Sequence, residues 1–422
     1  MSPGERATPA GVRRALSDAM AGERLRIVAG LIRITRDWDL AEDAVADAAE
    51  RALRRWPAEG VPANPGAWLT TTARRRAIDL LRRADVERAK LGEVAALAEL
   101  ASGADDLPQA SCLPDDRLRL IFTCCHPALS MEARVALTLK VVSGLSTAAV
   151  ARAFLTSEAT MGQRLLRAKR KIAHAGIPYR VPSPDLLPER MDGVLAVIYL
   201  IFTEGYAGTA DDALAGEAVR LGRLLVQLVP DSDEARGLLA LLLLQHARRA
   251  ARLVDGELVT LERQDRTKWD TAAIDEALAL EPLTGTDRGP YRLQAALAAV
   301  HAAAPEASDT DWAAVVSLYD ELLDVLPSPV VRLNRAIAIG MRDGPLAGLA
   351  ALDALAGDAR LAGYHLLPAA RGDLLARAGR PTEAVTALEH ALALAPTDQE
   401  RRQLTRRRDE LRGTSPAVGG LA

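Results

Sequence analysis

The chain has 422 residues and a formal net charge of −3, with 49% hydrophobic but only 3% aromatic residues. Abundant Ala and Leu with so few aromatics favour packed helices over strands, so an all-α protein of two or three domains is expected. The apolar runs Val194–Phe202 and Leu238–Leu244 fall well short of the roughly 20 residues that span a bilayer, and the charged N-terminus lacks a signal-peptide core. A cytoplasmic protein is expected. The charge is unevenly placed: residues 1–180 carry 28 Lys+Arg against 21 Asp+Glu, and the remainder carries 25 against 35. A basic half joined to an acidic half suits a nucleic-acid-binding part coupled to one with another task. Cys112, Cys124 and Cys125 are too few for a disulfide framework and lack the spacing of a zinc site, so no metal or cofactor is implied.

Residues 10–57 read as an opening helical segment followed by helices over Arg24–Arg36 and Leu40–Trp56, ended by a loop rich in Pro and Gly from Pro57 to Gly66. The next helix begins near Ala67. Leu69, Ala73, Ala77, Leu80 and Ala84 form its apolar stripe, and Trp68, Thr72, Arg75, Asp79 and Arg82 form the other face. Trp68 has two readings: a ring folded under the preceding loop, or a platform on which an unpaired base stacks while guanidinium groups hold phosphates. This first domain spans 10–84, and the segment 85–114, with Gly103, Asp105, Asp106, Pro108 and Pro114, reads as a linker.

The second small domain spans 115–176. Ser146 caps a helix over Thr147–Phe154 and, after the Leu155-Thr156 turn, Ser157 caps another, which makes a helix-turn-helix. In the second helix Met161, Leu165, Ala168 and Ile172 share one face, while Thr160, Gln163, Arg167 and Arg170 lie opposite. Arg164, Arg167, Lys169, Arg170 and Lys171 occupy eight residues without an acid between them. Such a run suits a helix between the phosphate walls of a major groove, and equally suits a solvated basic helix end favoured by the helix dipole.

Pro178, Pro182, Pro184 and Pro188 mark a junction over 177–190, and 191–412 is helical throughout. Gly372, Leu375, Ala384, Leu388, Ala391 and Pro396 occupy the small, large and proline positions of a 34-residue tetratricopeptide repeat, with looser copies ending at Pro327, Pro282 and Pro230. Stacked repeats of this kind bury a continuous core and present a surface to a partner. Two polar islands interrupt them, Thr203–Gly208 and Leu261–Asp270, and read as a hinge or docking contact. Six scattered histidines without an adjacent nucleophile motif, and the lack of a Gly-rich phosphate loop, argue against an enzyme.

The segment from Asp37 to Ala48 resembles region 2.2 of bacterial sigma factors, the polymerase-binding helix. Asn64-Pro-Gly-Ala-Trp-Leu through Arg83 resembles regions 2.3 and 2.4, and residues 115–172 resemble region 4. Asp115–Pro127, Phe202–Ala207 and the repeat tail resemble the extracytoplasmic-function (ECF) subgroup that carries a tetratricopeptide-like extension. The chain departs from the family at Ala46, Ala49, Arg75, Ala149 and Gly162, where Gln, Phe, Asn, Glu and Lys are common. The resemblance implies a promoter-specificity subunit of RNA polymerase. It assigns core-polymerase binding to Glu42, Asp43 and Asp47 and the minus-10 element to Asn64, Trp68, Arg75, Asp79 and Arg82. The minus-35 element falls to Ser157, Thr160, Gln163, Arg164, Arg167, Arg170 and Lys171. Core polymerase and promoter DNA are the implied partners, with a regulatory protein or ligand at the C-terminal domain. The alternative is a stand-alone helix-turn-helix regulator whose repeat domain senses a ligand or protein. The Trp68 stripe and the region 2.2 resemblance discriminate against it.

Overall fold

The computed structural model describes residues 8–90, 116–154, 156–207, 212–254, 257–280 and 288–414. Leu155, Cys112, Pro282 and most of the expected linker lie outside the described residues. Among those described, nineteen helices and one two-stranded hairpin (Leu253–Val254 with Glu257–Leu258) make the protein all-α as expected. The chain divides into two units, Met1–Ala210 and Asp211–Ala422.

The first unit opens with α1 (Pro9–Thr35), α2 (Trp38–Glu59) and α3 (Pro65–Lys90), each packed on the other two. The opening segment and the Arg24–Arg36 helix form one element, because no residue between them breaks the helix and Thr8 caps it with Pro9 at its first position. The Asp37 carboxylate accepts from the Asp39 and Leu40 N–H groups at 3.0 Å to start α2. Asn64 Oδ1 accepts from the Ala67 N–H at 3.0 Å to start α3. Ala41, Ala44, Ala48 and Ala52 of α2 and Leu69, Ala73 and Ala77 of α3 are buried between them.

Next come α4 (Asp116–Cys124), α5 (Met131–Leu137, continued by a π-helical turn over Thr138–Val142), α6 (Thr147–Ala153) and α7 (Glu158–His174). Cys124 and Cys125 are buried free thiols, and burial pushes both above the usual thiol range. Helix α8 (Leu187–Ala207) packs on α4 and α5, with Val194, Leu195, Ile198, Ile201 and Phe202 buried. It therefore belongs to the first unit, whereas the sequence placed the start of the repeat domain near residue 191. Arg190 Nη2 donates to His126 Nε2 at 2.7 Å, which ties α8 to the turn after α4.

The second unit contains α9 (Asp212–Leu228), α10 (Asp233–Ala247), α11 (Arg249–Arg252), α12 (Thr271–Leu280), α13 (Pro290–Ala303), α14 (Trp312–Val325), α15 (Pro329–Asp343), α16 (Pro345–Asp353), α17 (Leu366–Arg377), α18 (Pro381–Leu394) and α19 (Asp398–Thr414). From α13 onward each helix packs on the next. Gly372 shows why a small residue is needed on α17: a Cβ there would stand 2.9 Å from Leu388 Cγ and 3.3 Å from the Ala384 carbonyl of α18. The polar island after the hairpin is tied into this unit, with Arg266 Nη1 donating to the Ala304 carbonyl at 2.7 Å and its guanidinium 4.6 Å from the Trp269 ring centroid.

Candidate nucleic-acid interface

The local grammar of the helix-turn-helix is visible atom by atom. Ser146 Oγ accepts from the Ala149 N–H at 3.1 Å and Ser157 Oγ from the Thr160 N–H at 3.2 Å, so both expected caps form. Met161, Leu165, Ala168 and Ile172 are the buried residues of α7. With that stripe inward, Ser157, Thr160, Gln163, Arg164, Arg167, Arg170 and Lys171 are all exposed. Ser157 also lies 2.8 Å from Thr160 Oγ1, so its hydroxyl serves the helix start. Arg164 sits 3.9 Å from Glu132 of α5, whereas among the described residues Arg167 and Arg170 stand in no ion pair. Apart from Glu132 beside Arg164, the face is a band of exposed cations, the kind of surface that suits phosphate binding.

On α3, Arg75, Asp79 and Arg82 are exposed, as is Asn64 at its cap, while Trp68 and Thr72 are half-buried. Trp68 meets Trp56 edge to face with ring centroids 5.4 Å apart. Trp56 is 1% exposed, so Trp68 is propped from beneath by a fixed ring while part of its own surface reaches solvent. Trp68 is thus neither wholly packed nor wholly exposed. Trp56 itself was legible only as the end of a helix, because its role arises from the α2–α3 contact.

The three acids of α2 are not alike. Asp43 is exposed and, among the described residues, has no ion-pair partner; burial and the neighbouring Asp39, Asp47 and Glu42 hold its carboxyl above the usual range. Asp47 is bonded to Arg76 of α3. Glu42 is turned toward the helix-turn-helix, where Lys169 Nζ of α7 donates to its Oε2 at 2.9 Å and to Asp39 Oδ1 at 2.6 Å. Arg24 Nη2 and Lys140 Nζ lie 3.6 and 3.7 Å from Glu42 Oε1. Burial alone would lower the Lys169 pKa, but Glu42 and Asp39 outweigh it and raise it. Lys169, read with the basic run of α7, is thus separated from that run by its environment. The periodicity sets it one turn after buried Leu165, but does not name its partners, which lie on another helix more than 120 residues away.

Among the described residues no helix is long and apolar enough to cross a membrane, and no group of three or more His, Cys, Asp or Glu is placed to hold a metal ion. Residues 22–86 match the family Sigma-70 region 2, residues 119–172 match Sigma-70, region 4, and residues 190–282 match a family of unknown function (DUF6596). The two sigma matches cover α3 with its Trp68 face and α7 with its cationic band, and the third begins on α8 of the first unit. A protein of Rhizobium meliloti (strain 1021), described as uncharacterized, is 43% identical over 404 residues, 93% of this chain and 95% of its own length. Sigma factors are not enzymes; they bind core RNA polymerase and promoter DNA to start transcription. With regions 2 and 4 both matched to sigma-70 models, the chain belongs to the sigma-70 family of RNA polymerase sigma factors.

Proposed function

We propose that this sigma factor belongs to the extracytoplasmic-function group, acts in the cytoplasm with regions 2 and 4 alone, and carries a tetratricopeptide-like second unit for regulation or docking. In this reading α7 enters the major groove at the minus-35 element. Thr160, Gln163 and Arg164 reach toward base edges near the helix start, and Arg167, Arg170 and Lys171 meet phosphates, with Ser157 fixing the helix start. On α3, Trp68 stacks on a minus-10 base freed from its partner, Asn64 sets the approach, Arg75 and Arg82 hold the backbone, and Asp79 flanks them. Glu42, Asp43 and Asp47 face a basic element of core polymerase. The observation that carries the reading is the exposed, acid-free band of Arg167, Arg170 and Lys171 on a helix whose opposite face is fully packed.

A regulatory role for the second unit is supported by a cavity of about 570 Å3 among α14, α15, α17 and α19, lined by Trp312, Tyr319, Asn334, Ile337, His365 and Gln403. That volume is of the size that holds a small ligand. The test is reconstitution: the full chain and purified core polymerase should co-elute, and the complex should hold a promoter duplex more tightly than the chain alone. Failure to co-elute would contradict a sigma role and favour a free-standing regulator.

A further inference from the structure

Glu42 is assigned to polymerase by the reading above, yet its carboxylate is the most heavily engaged acid of α2. Three cations from two structural regions converge on it: Arg24 of α1, Lys140 of the π-helical turn and Lys169 of α7. Its side chain is 15% exposed and that of Lys169 is 12% exposed, so the pair is withdrawn from solvent. The same seam continues on both sides. Arg24 Nη1 donates to the Val141 carbonyl at 3.0 Å, Arg33 Nε to Asp116 Oδ2 at 3.1 Å, and Tyr179 Oη to the Ala29 carbonyl at 2.9 Å. Gly144, with φ +79°, leaves the space through which Arg24 passes: a Cβ there would lie 2.7 Å from Arg24 Nη1. Meanwhile Arg167 and Arg170 remain exposed on the far side of α7.

We infer that the two sigma regions form a self-masking clasp: Lys169 occupies the Glu42–Asp39 acids in place of the basic polymerase element that this face is built to meet. The clasp engages Glu42 at the centre of the polymerase face, leaves Asp43 exposed beside it, and leaves the DNA-reading face open. It rests on the reading of Glu42 as a polymerase contact. Helix α1 also packs on α4, but the hold of Lys169 on the Glu42 and Asp39 acids is ionic, so a competing basic surface or added salt weakens that hold, and apparent polymerase affinity scales with the fraction of molecules that are open. Lys169 acts here as a positioning residue that decides whether the acids are available.

The test uses the full chain with spin labels at exposed Leu53 of α2 and exposed Arg152 of α6, together with core-polymerase titration. The wild-type protein should give one short distance that broadens to longer values in high salt. Lys169→Gln and, through a second contact, Lys140→Gln should populate the longer distances at low salt, whereas Lys169→Arg should keep the short one. Lys169→Gln should also bind core polymerase about threefold or more tightly, as expected when a closed population is removed. Identical distances in wild type and both Gln variants would overturn the clasp. Opened distances with unchanged polymerase affinity would overturn the masking. If no form of the protein binds polymerase, the assignment of Glu42 falls and masking falls with it, while the distances still report closure.

Discussion

The cationic band of α7 makes a quantitative prediction about salt. Each phosphate contact that a protein gives up lowers the slope of log affinity against log salt by about 0.9 on duplex DNA. Arg167 and Arg170 are exposed and have no ion-pair partner among the described residues, so each should supply a full contact, while Arg164 is partly committed to Glu132. Replacing both Arg167 and Arg170 by Ala should therefore reduce the slope by about 1.8, so that between roughly 50 and 200 mM salt the wild type loses about 12-fold more affinity than the variant. Arg164→Ala should change it by less than one contact. Lys169→Ala should leave it unaltered, because Lys169 follows buried Leu165 by one helical turn and faces Glu42 instead of the exposed band. Fluorescence anisotropy with a minus-35 duplex and the full chain over that salt range provides the reading. An unchanged slope in the double variant, with circular dichroism showing intact helices, would refute the phosphate assignment.

Further outcomes follow from the packing. Trp68→Ala should weaken the opened minus-10 strand by about 1–3 kcal/mol per stacked base and leave minus-35 duplex binding intact; permanganate reactivity of the polymerase complex reads this, and a normal bubble would contradict the role. Truncation after residue 210 should leave the first unit folded. Truncation at Pro188 should instead destabilise it, since each apolar side chain of α8 withdrawn from α4 and α5 forfeits about 1.5–3 kcal/mol; equal melting temperatures for the two truncations would refute the place of α8. Burial, with Arg248 and Arg266 nearby, lowers the His301 pKa from 6.5 to about 4. The folded state therefore resists a proton that the unfolded chain accepts, and this histidine's contribution to stability is present above about 6.5 and lost as pH falls toward about 4. Urea unfolding of the full chain across that range should show the loss, and His301→Gln should flatten it.

The helix-turn-helix was legible because its information is local. Caps at Ser146 and Ser157 and the stripe Met161, Leu165, Ala168 and Ile172 depend on spacing within one or two turns, and the structure satisfies them all. Gly372, expected at a small-residue position, does lie where a side chain would meet Leu388 and the Ala384 carbonyl. Two features were not. Helix α8 follows a proline-rich stretch and is apolar like the repeats beyond it, so its sequence cannot show that Val194 and Ile201 pack backward on α4 and α5. Lys169 lies in a uniform basic run, and only the tertiary approach of α7 to α2 gives it a different partner from Arg167 and Arg170. Glu42 is the mirror case: an acid on an amphipathic helix looks solvated until three cations from elsewhere meet it.

The most direct measurement of the central claim is run-off transcription by purified core polymerase on a promoter selected by the full chain, with templates in which the minus-35 or minus-10 element is scrambled. A sigma factor that reads both elements through α7 and α3 predicts transcripts only when the full chain is added and both elements are intact, with Arg167→Ala/Arg170→Ala and Trp68→Ala each reducing the yield. Transcripts independent of the added chain, or a yield indifferent to both scrambled elements, would contradict it.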